Sequence, residues 1–168
     1  MARSFLNHLN PDALRYYFAA KLNGSTEDID LNLEDFMQRV NSDLVGKVVN
    51  LASRTAGFIG KLFDGSLADE LHDPALHEVF VDAGDAIAAA YEASDTARAM
   101  REIMGLADCA NQYIDQHKPW TLANEAGREA GRQASCTQGP NLFRIMLTYR
   151  KPGRPERTRQ AEQFLPFG

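Results

Sequence analysis

The chain has 168 residues, of which 44% are hydrophobic and 24% charged, the size and composition of one globular domain able to bury a core. Its longest apolar run, Ala86 to Tyr91, is too short to span a membrane. Two cysteines, Cys109 and Cys136, are too few for a disulfide framework or a cysteine-built zinc site. Residues 1–10 have no apolar core of signal-peptide length, so the expectation is a cytoplasmic, metal-free protein.

The formal charge of −5 is unevenly spread. Residues 1–50 carry five basic and seven acidic groups, residues 51–100 three and nine, and residues 101–168 ten and seven. The densest basic run is Arg150, Lys151, Arg154, Arg157 and Arg159. A polyanion is attracted to that end and repelled by the middle; an ordinary solvated helix face accounts for the run equally well.

In chain order the sequence reads as successive helices. Asn10-Pro11 offers a capping amide and a proline suited to a first helical turn, opening a helix that should run to Asn23-Gly24. Residues 25–31 are a polar connector. Asn32 then caps a long helix, with Glu34 and Asp35 in its positive first turn, reaching about Phe63 before the turn signal Asp64-Gly65. Asp73-Pro74 opens an alanine-rich helix ending near Ala93. Ser94 or Asp95 caps another that runs to about His117, with Ala97, Met100, Ile103 or Met104, Ala107, Ala110 and Ile114 at helical period. Lys118-Pro119-Trp120 is a break, with Pro119 placed to start a short helix. A last long helix should cover 128–150, kinked or split at Gly139-Pro140. Pro152 and Pro155 bracket a turn before a short C-terminal helix. With no period-2 strand, the expected fold is an all-α bundle of five to seven helices.

On the long helix, Phe36, Val40, Leu44, Val48, Leu51, Thr55, Ile59 and Leu62 form a core-facing stripe at 100° per residue. Beside it lie Lys47, Asn50, Arg54 and Lys61, flanked by Gly46, Ser53, Gly57 and Gly60. Each helical glycine costs about 1 kcal/mol against alanine, so the small residues point either to a ligand approaching the backbone or to tight helix packing. Asn50 and Arg54, one turn apart, both suit the hydrogen-bonding edge of a nucleobase. Trp120, the only tryptophan, stands at the proline break instead of in an amphipathic stripe, as a stacking platform for an unpaired base or as a plug between helices.

Signs of catalysis are missing. His72 and His77 do not share a helical face and lack the spacing of a zinc pair, and neither His8 nor His117 has a partner that sequence identifies. Cys109, on an alanine-rich helix, is expected to be a small core residue; Cys136 has no basic neighbour closer than Arg132. No glycine-rich phosphate loop occurs.

Several strings in this chain resemble bacterial methionyl-tRNA synthetase. They are Asp-Leu-Asn-Leu-Glu-Asp-Phe (30–36), Gln38-Arg39-Val40-Asn41, Lys47-Val-Val-Asn-Leu-Ala-Ser-Arg54, Asn10-Pro11-Asp12, Leu14-Arg15-Tyr16-Tyr17, the Lys118-Pro119-Trp120 break and Asn141-Leu142-Phe143-Arg144, with Thr148-Tyr149 and Lys151-Pro152. The resemblance implies the family's C-terminal part, beginning just after the Lys-Met-Ser-Lys-Ser loop. The catalytic motifs, ATP site and zinc-bearing insertion would then belong to a missing upstream part, and the chain alone should be inactive as a ligase. Residues 1–35 would be a connector resembling the stem-contact segment, and 36–168 the α-helical anticodon-binding domain. By the same resemblance Asn50, Arg54 and Trp120 would read the CAU anticodon of methionine tRNAs, initiator and elongator. Pro119 would fix the indole, with Lys47, Lys61 and Asp115 in support. The chain departs from the family at Gly46, where many members carry a second asparagine, at Pro140 and at Pro152-Gly-Arg-Pro155. Two other readings of the residues stay open: a helical scaffold for a protein partner, and a non-specific RNA binder using the 150–159 run.

Overall fold

The computed structural model describes residues 8–26, 28–118 and 129–150. Among them are five helices: α1 (Pro11–Ala19), α2 (Leu33–Arg39 continuing through Val40–Val49 and Asn50–Leu62), α3 (Pro74–Glu92), α4 (Thr96–His117) and α5 (Glu129–Arg150). No strand occurs among the described residues. The turn and short helix expected after Pro152, and the one expected at Pro119, lie outside the described residues.

The caps fall where the sequence places them. Asn10 Oδ1 accepts from the Asp12 amide, Asn32 Oδ1 from those of Glu34 and Asp35, Asp73 from that of Leu76 and Asp95 from that of Arg98. Each satisfies amide donors that a helix start leaves open. Asp95, not Ser94, caps α4, and Ser94 takes a left-handed φ of 58° in the turn before it. Helix α1 stops at Ala19, earlier than the expected Asn23-Gly24. Carbonyls at and just past its end turn to tertiary partners: Thr96 Oγ1 donates to Ala19 O at 2.8 Å, and the Ala97 amide to Leu22 O at 2.7 Å. Helix α5 runs uninterrupted through Pro140 and is not split there. Pro140 and its neighbour Gly139 are buried, and packing holds the turn that propensity alone would break.

Within α2, Val40–Val49 is π-helical, with wider i→i+5 turns. At its end the Asn50 amide is shared between Lys47 O and Val45 O. Buried Phe36, Leu44, Val48, Leu51, Thr55 and Ile59 confirm the core stripe, with Val40 half-buried; the side chain of Leu62 falls outside the described set.

Side-chain bonds give the helix directions. Lys47 pairs with Asp108 and Arg54 with Asp115, so α2 and α4 run parallel. Gln138 meets Asp73 and Tyr149 meets Phe80, so α3 and α5 run parallel. Thr55 adjoins Gly139 while Ser66, just past the end of α2, meets Gln133, setting α5 antiparallel to α2. Helices α2 to α5 thus alternate in direction around one core built on Leu51, Phe80, Ile87, Ile103, Ile114, Leu142 and Met146. Helix α1 adds a second small cluster on the start of α2, where Tyr17 packs edge-on against Phe36 with ring centroids 5.6 Å apart.

The 64–73 connection is held by a polar row on α5. Gln133 Nε2 donates to Ser66 O, the Ala68 amide to Thr137 Oγ1 at 2.9 Å, and Gln138 Nε2 to Asp73 O at 2.9 Å. Thr137 and Gln138 are fully buried, and this bonding compensates their removal from water.

Candidate nucleic-acid interface

The polar residues singled out on the long helix face α4. Lys47 Nζ lies 2.8 Å from Asp108 Oδ2 and Arg54 Nη2 lies 2.6 Å from Asp115 Oδ1. Both pairs span the same 61-residue separation and lie one step of seven residues apart along parallel helices. Asn111 fills the row between them, its Nδ2 donating to Lys47 O at 3.1 Å and to Ala107 O at 2.9 Å.

Arg54 is held yet accessible: its side chain is 24% exposed and that of Asp115 62%. A guanidinium is a planar fork of five N–H donors, and the carboxylate fixes its plane at this edge. Asn50, one turn before Arg54, is exposed and makes no side-chain hydrogen bond among the described residues. Lys61 is exposed on the last turn of α2, seven residues beyond Arg54. Asn50, Arg54 and Asp115 therefore gather at one end of the α2–α4 pair; Lys47 sits further back, half-buried. Pro119 and Trp120 lie outside the described residues, but α4 ends beside them: Lys118 takes a left-handed φ of 39° directly after His117.

That end carries a cluster the sequence did not reveal. The Tyr113 hydroxyl lies 2.7 Å from His72 Nδ1. His117 stacks at 4.2 Å on the Tyr113 ring and stands edge-on to His72 at 5.0 Å. His117 Nδ1 donates to the Tyr113 carbonyl at 2.9 Å, since a carbonyl only accepts. Burial pushes the Tyr113 hydroxyl up to about 12. Burial, then the neighbouring His117 charge, holds His72 below the usual imidazole range. No signal in the sequence could place His72 here, because it rides on the connection that α5 pins.

Two expectations need correction. Cys109 is exposed, not a core residue: Ala107 and Ala110 take the buried face of α4, and 109 is turned out between them. Tight helix packing does not explain Gly57 and Gly60, since an added Cβ would meet nothing within 4 Å at either. Both stand on an open face of α2. No group of three or more metal-ligating side chains occurs among the described residues, and no helix there is long and apolar enough to cross a membrane.

Compared with known proteins, residues 1–56 match the family model of class I tRNA synthetases (M). In fold, the chain is similar to Mycobacterium tuberculosis methionyl-tRNA synthetase in complex with methionyl-adenylate. The TM-score is 0.84 at 20% identity, covering 95% of this chain and 32% of that one. The free-state structure of that enzyme matches with a TM-score of 0.82 at 19% identity, covering 94% and 33%. The chain thus spans about a third of the length of these structures. The family model takes in the strings at 10–17 and 30–54, and the likeness in fold extends over 95% of the chain.

Proposed function

We propose that this chain is the C-terminal, anticodon-binding part of a methionine–tRNA ligase, acting in the cytoplasm. It reads the CAU loop of initiator and elongator methionine tRNAs. One observation carries the reading: Arg54 is fixed by Asp115 at an accessible edge, one turn from an exposed Asn50, at the end of α4 that leads into Pro119-Trp120. Base edges are read by planar amide and guanidinium groups, and unpaired bases stack on an aromatic ring. Residues 1–35 serve as the stem-contact segment and 36–168 as the anticodon-binding unit. Methionine activation, with its ATP and zinc, belongs to a catalytic part outside this chain and its partner in the intact enzyme.

The acid–base pairing between α2 and α4 also supports a second reading, a helical scaffold whose interhelical ion pairs serve only structure. Trp120 fluorescence separates the two. The protein is titrated with an RNA stem-loop carrying CAU, and with the same loop after one anticodon base is changed. An anticodon reader is quenched by the first and not by the second, and Arg54→Ala abolishes the quench. Equal or absent quenching with both loops, in a protein shown to be folded by circular dichroism, overturns the proposal and leaves the scaffold.

A further inference from the structure

The last turn of α4 faces two ways. Asp115 holds Arg54 at 2.6 Å on the α2 side. His117, two residues on, meets the connection that precedes α3, where its ring stands 5.0 Å from that of His72 and 4.2 Å from that of Tyr113. The two halves of this contact are held differently. His72 is anchored through the next residue: the Asp73 amide donates to Gln138 Oε1 at 3.4 Å, and Gln138 Nε2 donates back to Asp73 O at 2.9 Å, with Gln138 fully buried. His117 instead ends its helix, and the chain leaves at Lys118 with a left-handed φ of 39°. A residue with a Cβ adopts that conformation at a cost, which contacts of the preceding turn have to offset. The groups facing the imidazole pair are Asp73 from the connection and Tyr113 on α4, with Asp115 and Lys118 flanking His117 along that helix, and Ser135 and Cys136 reaching Tyr113 from α5. Both carboxylates are engaged elsewhere, Asp73 with the Leu76 amide and Asp115 with Arg54. Two imidazoles in ring contact repel once both are charged, and His72 is already held below 6.5 by burial and by His117.

Accepting the RNA-reading function above, on which this rests, we infer that His72 and His117 are positioning residues that form a proton-sensitive clamp. Uncharged, they hold the last turn of α4, and with it Asp115 and Arg54, in the geometry that reads a base edge. Doubly protonated, they repel each other and release it. At this partly exposed edge, with the rings 5.0 Å apart, the repulsion is worth roughly tenfold in an equilibrium. Because Gln138 fixes the His72 half, the displacement falls on α4. Neither imidazole touches the RNA in this assignment; both act through Asp115. Discrimination between anticodon bases therefore falls with acid, while the general attraction of the chain for RNA rises as the imidazoles charge. The opposite signs separate the clamp from simple electrostatics.

The test has one arm with RNA and one without, each run about one pH unit either side of 6.5. In the first, the full chain, His72→Gln and His117→Gln are titrated with the CAU stem-loop and the base-changed stem-loop. The ratio of the two affinities is read, so that any gain in general attraction cancels. The wild-type ratio should fall about tenfold on acidification and stay nearly constant in either variant, since glutamine takes up no proton. Either single variant suffices, because the repulsion needs both charges. In the second arm, hydrogen exchange is followed at the Lys118 amide, which donates to Ile114 O at 3.0 Å. Corrected for the intrinsic rate, its protection should drop about tenfold with acid in the wild type and hold in His72→Gln. A wild-type ratio that does not change with pH overturns the clamp and leaves the reading function standing. So does a ratio that falls equally in wild type and variants, because the acid effect then has another source. A wild type that fails to discriminate CAU at either pH removes the reading function itself; the clamp is then judged by Lys118 exchange, and unchanged protection overturns it.

Discussion

Replacing Gly139 with alanine tests how α2 is positioned. The residue is buried where α5 meets α2. An added Cβ would collide with Thr55 Cγ2 and lie 3.1 Å from Thr55 Cβ and 3.2 Å from Ile114 Cδ1. Thr55 cannot easily turn away, since it is 3% exposed and its Oγ1 donates to Leu51 O at 2.8 Å. Overpacking of this kind costs about 1–3 kcal/mol, and the backbone-borne Cβ puts Gly139→Ala near the top of that range. Helix propensity returns about 1 kcal/mol, for a net loss of ~2 kcal/mol. In a chain of this size that lowers Tm by roughly 4–8 °C. At Gly57, Gly60 and Gly105 an added Cβ meets nothing within 4 Å, so the same substitution should stabilise by up to about 1 kcal/mol each. Thermal and urea unfolding followed by far-ultraviolet circular dichroism would measure all four. In a Thr55→Ser background, which removes Cγ2, the Gly139→Ala penalty should fall below about 1 kcal/mol. Stabilisation by Gly139→Ala, or a penalty untouched by Thr55→Ser, would refute the reasoning.

Three further outcomes follow from the same contacts. His72 is held below its ordinary value of 6.5 by burial and by His117, so between its native value and 6.5 the unfolded chain binds more protons. Stability should therefore fall as pH drops through 6.5 and below, and His72→Gln should flatten that part of the urea-midpoint profile against pH; an unchanged profile would exclude His72 as the cause. The Tyr149 hydroxyl donates to Phe80 O at 2.7 Å, so Tyr149→Phe should lower stability by about 1 kcal/mol, read as a shift of the urea midpoint at constant slope. Asp115→Asn removes the charge from an exposed pair and should change stability by no more than about 0.5 kcal/mol. If Asp115 positions Arg54, the same variant should still alter discrimination between CAU and the changed loop.

The helices of this chain are written in local chemistry. Caps at Asn10, Asn32, Asp73 and Asp95 need only the residue and the two or three amides after it, and the buried stripe of α4 follows from a period of three or four. Asn50 and Arg54 were legible as a pair because one helical turn separates them. What sequence could not supply are the partners contributed by distant elements. Asp115 meets Arg54 from 61 residues away, His72 reaches Tyr113 because Thr137 and Gln138 pin the preceding loop, and Arg39 shares a cavity with Arg101 through the parallel run of α2 and α4. The early end of α1 and the passage of α5 through Pro140 were decided in the same way, by tertiary hydrogen bonds and burial that outweigh the local propensity of the chain.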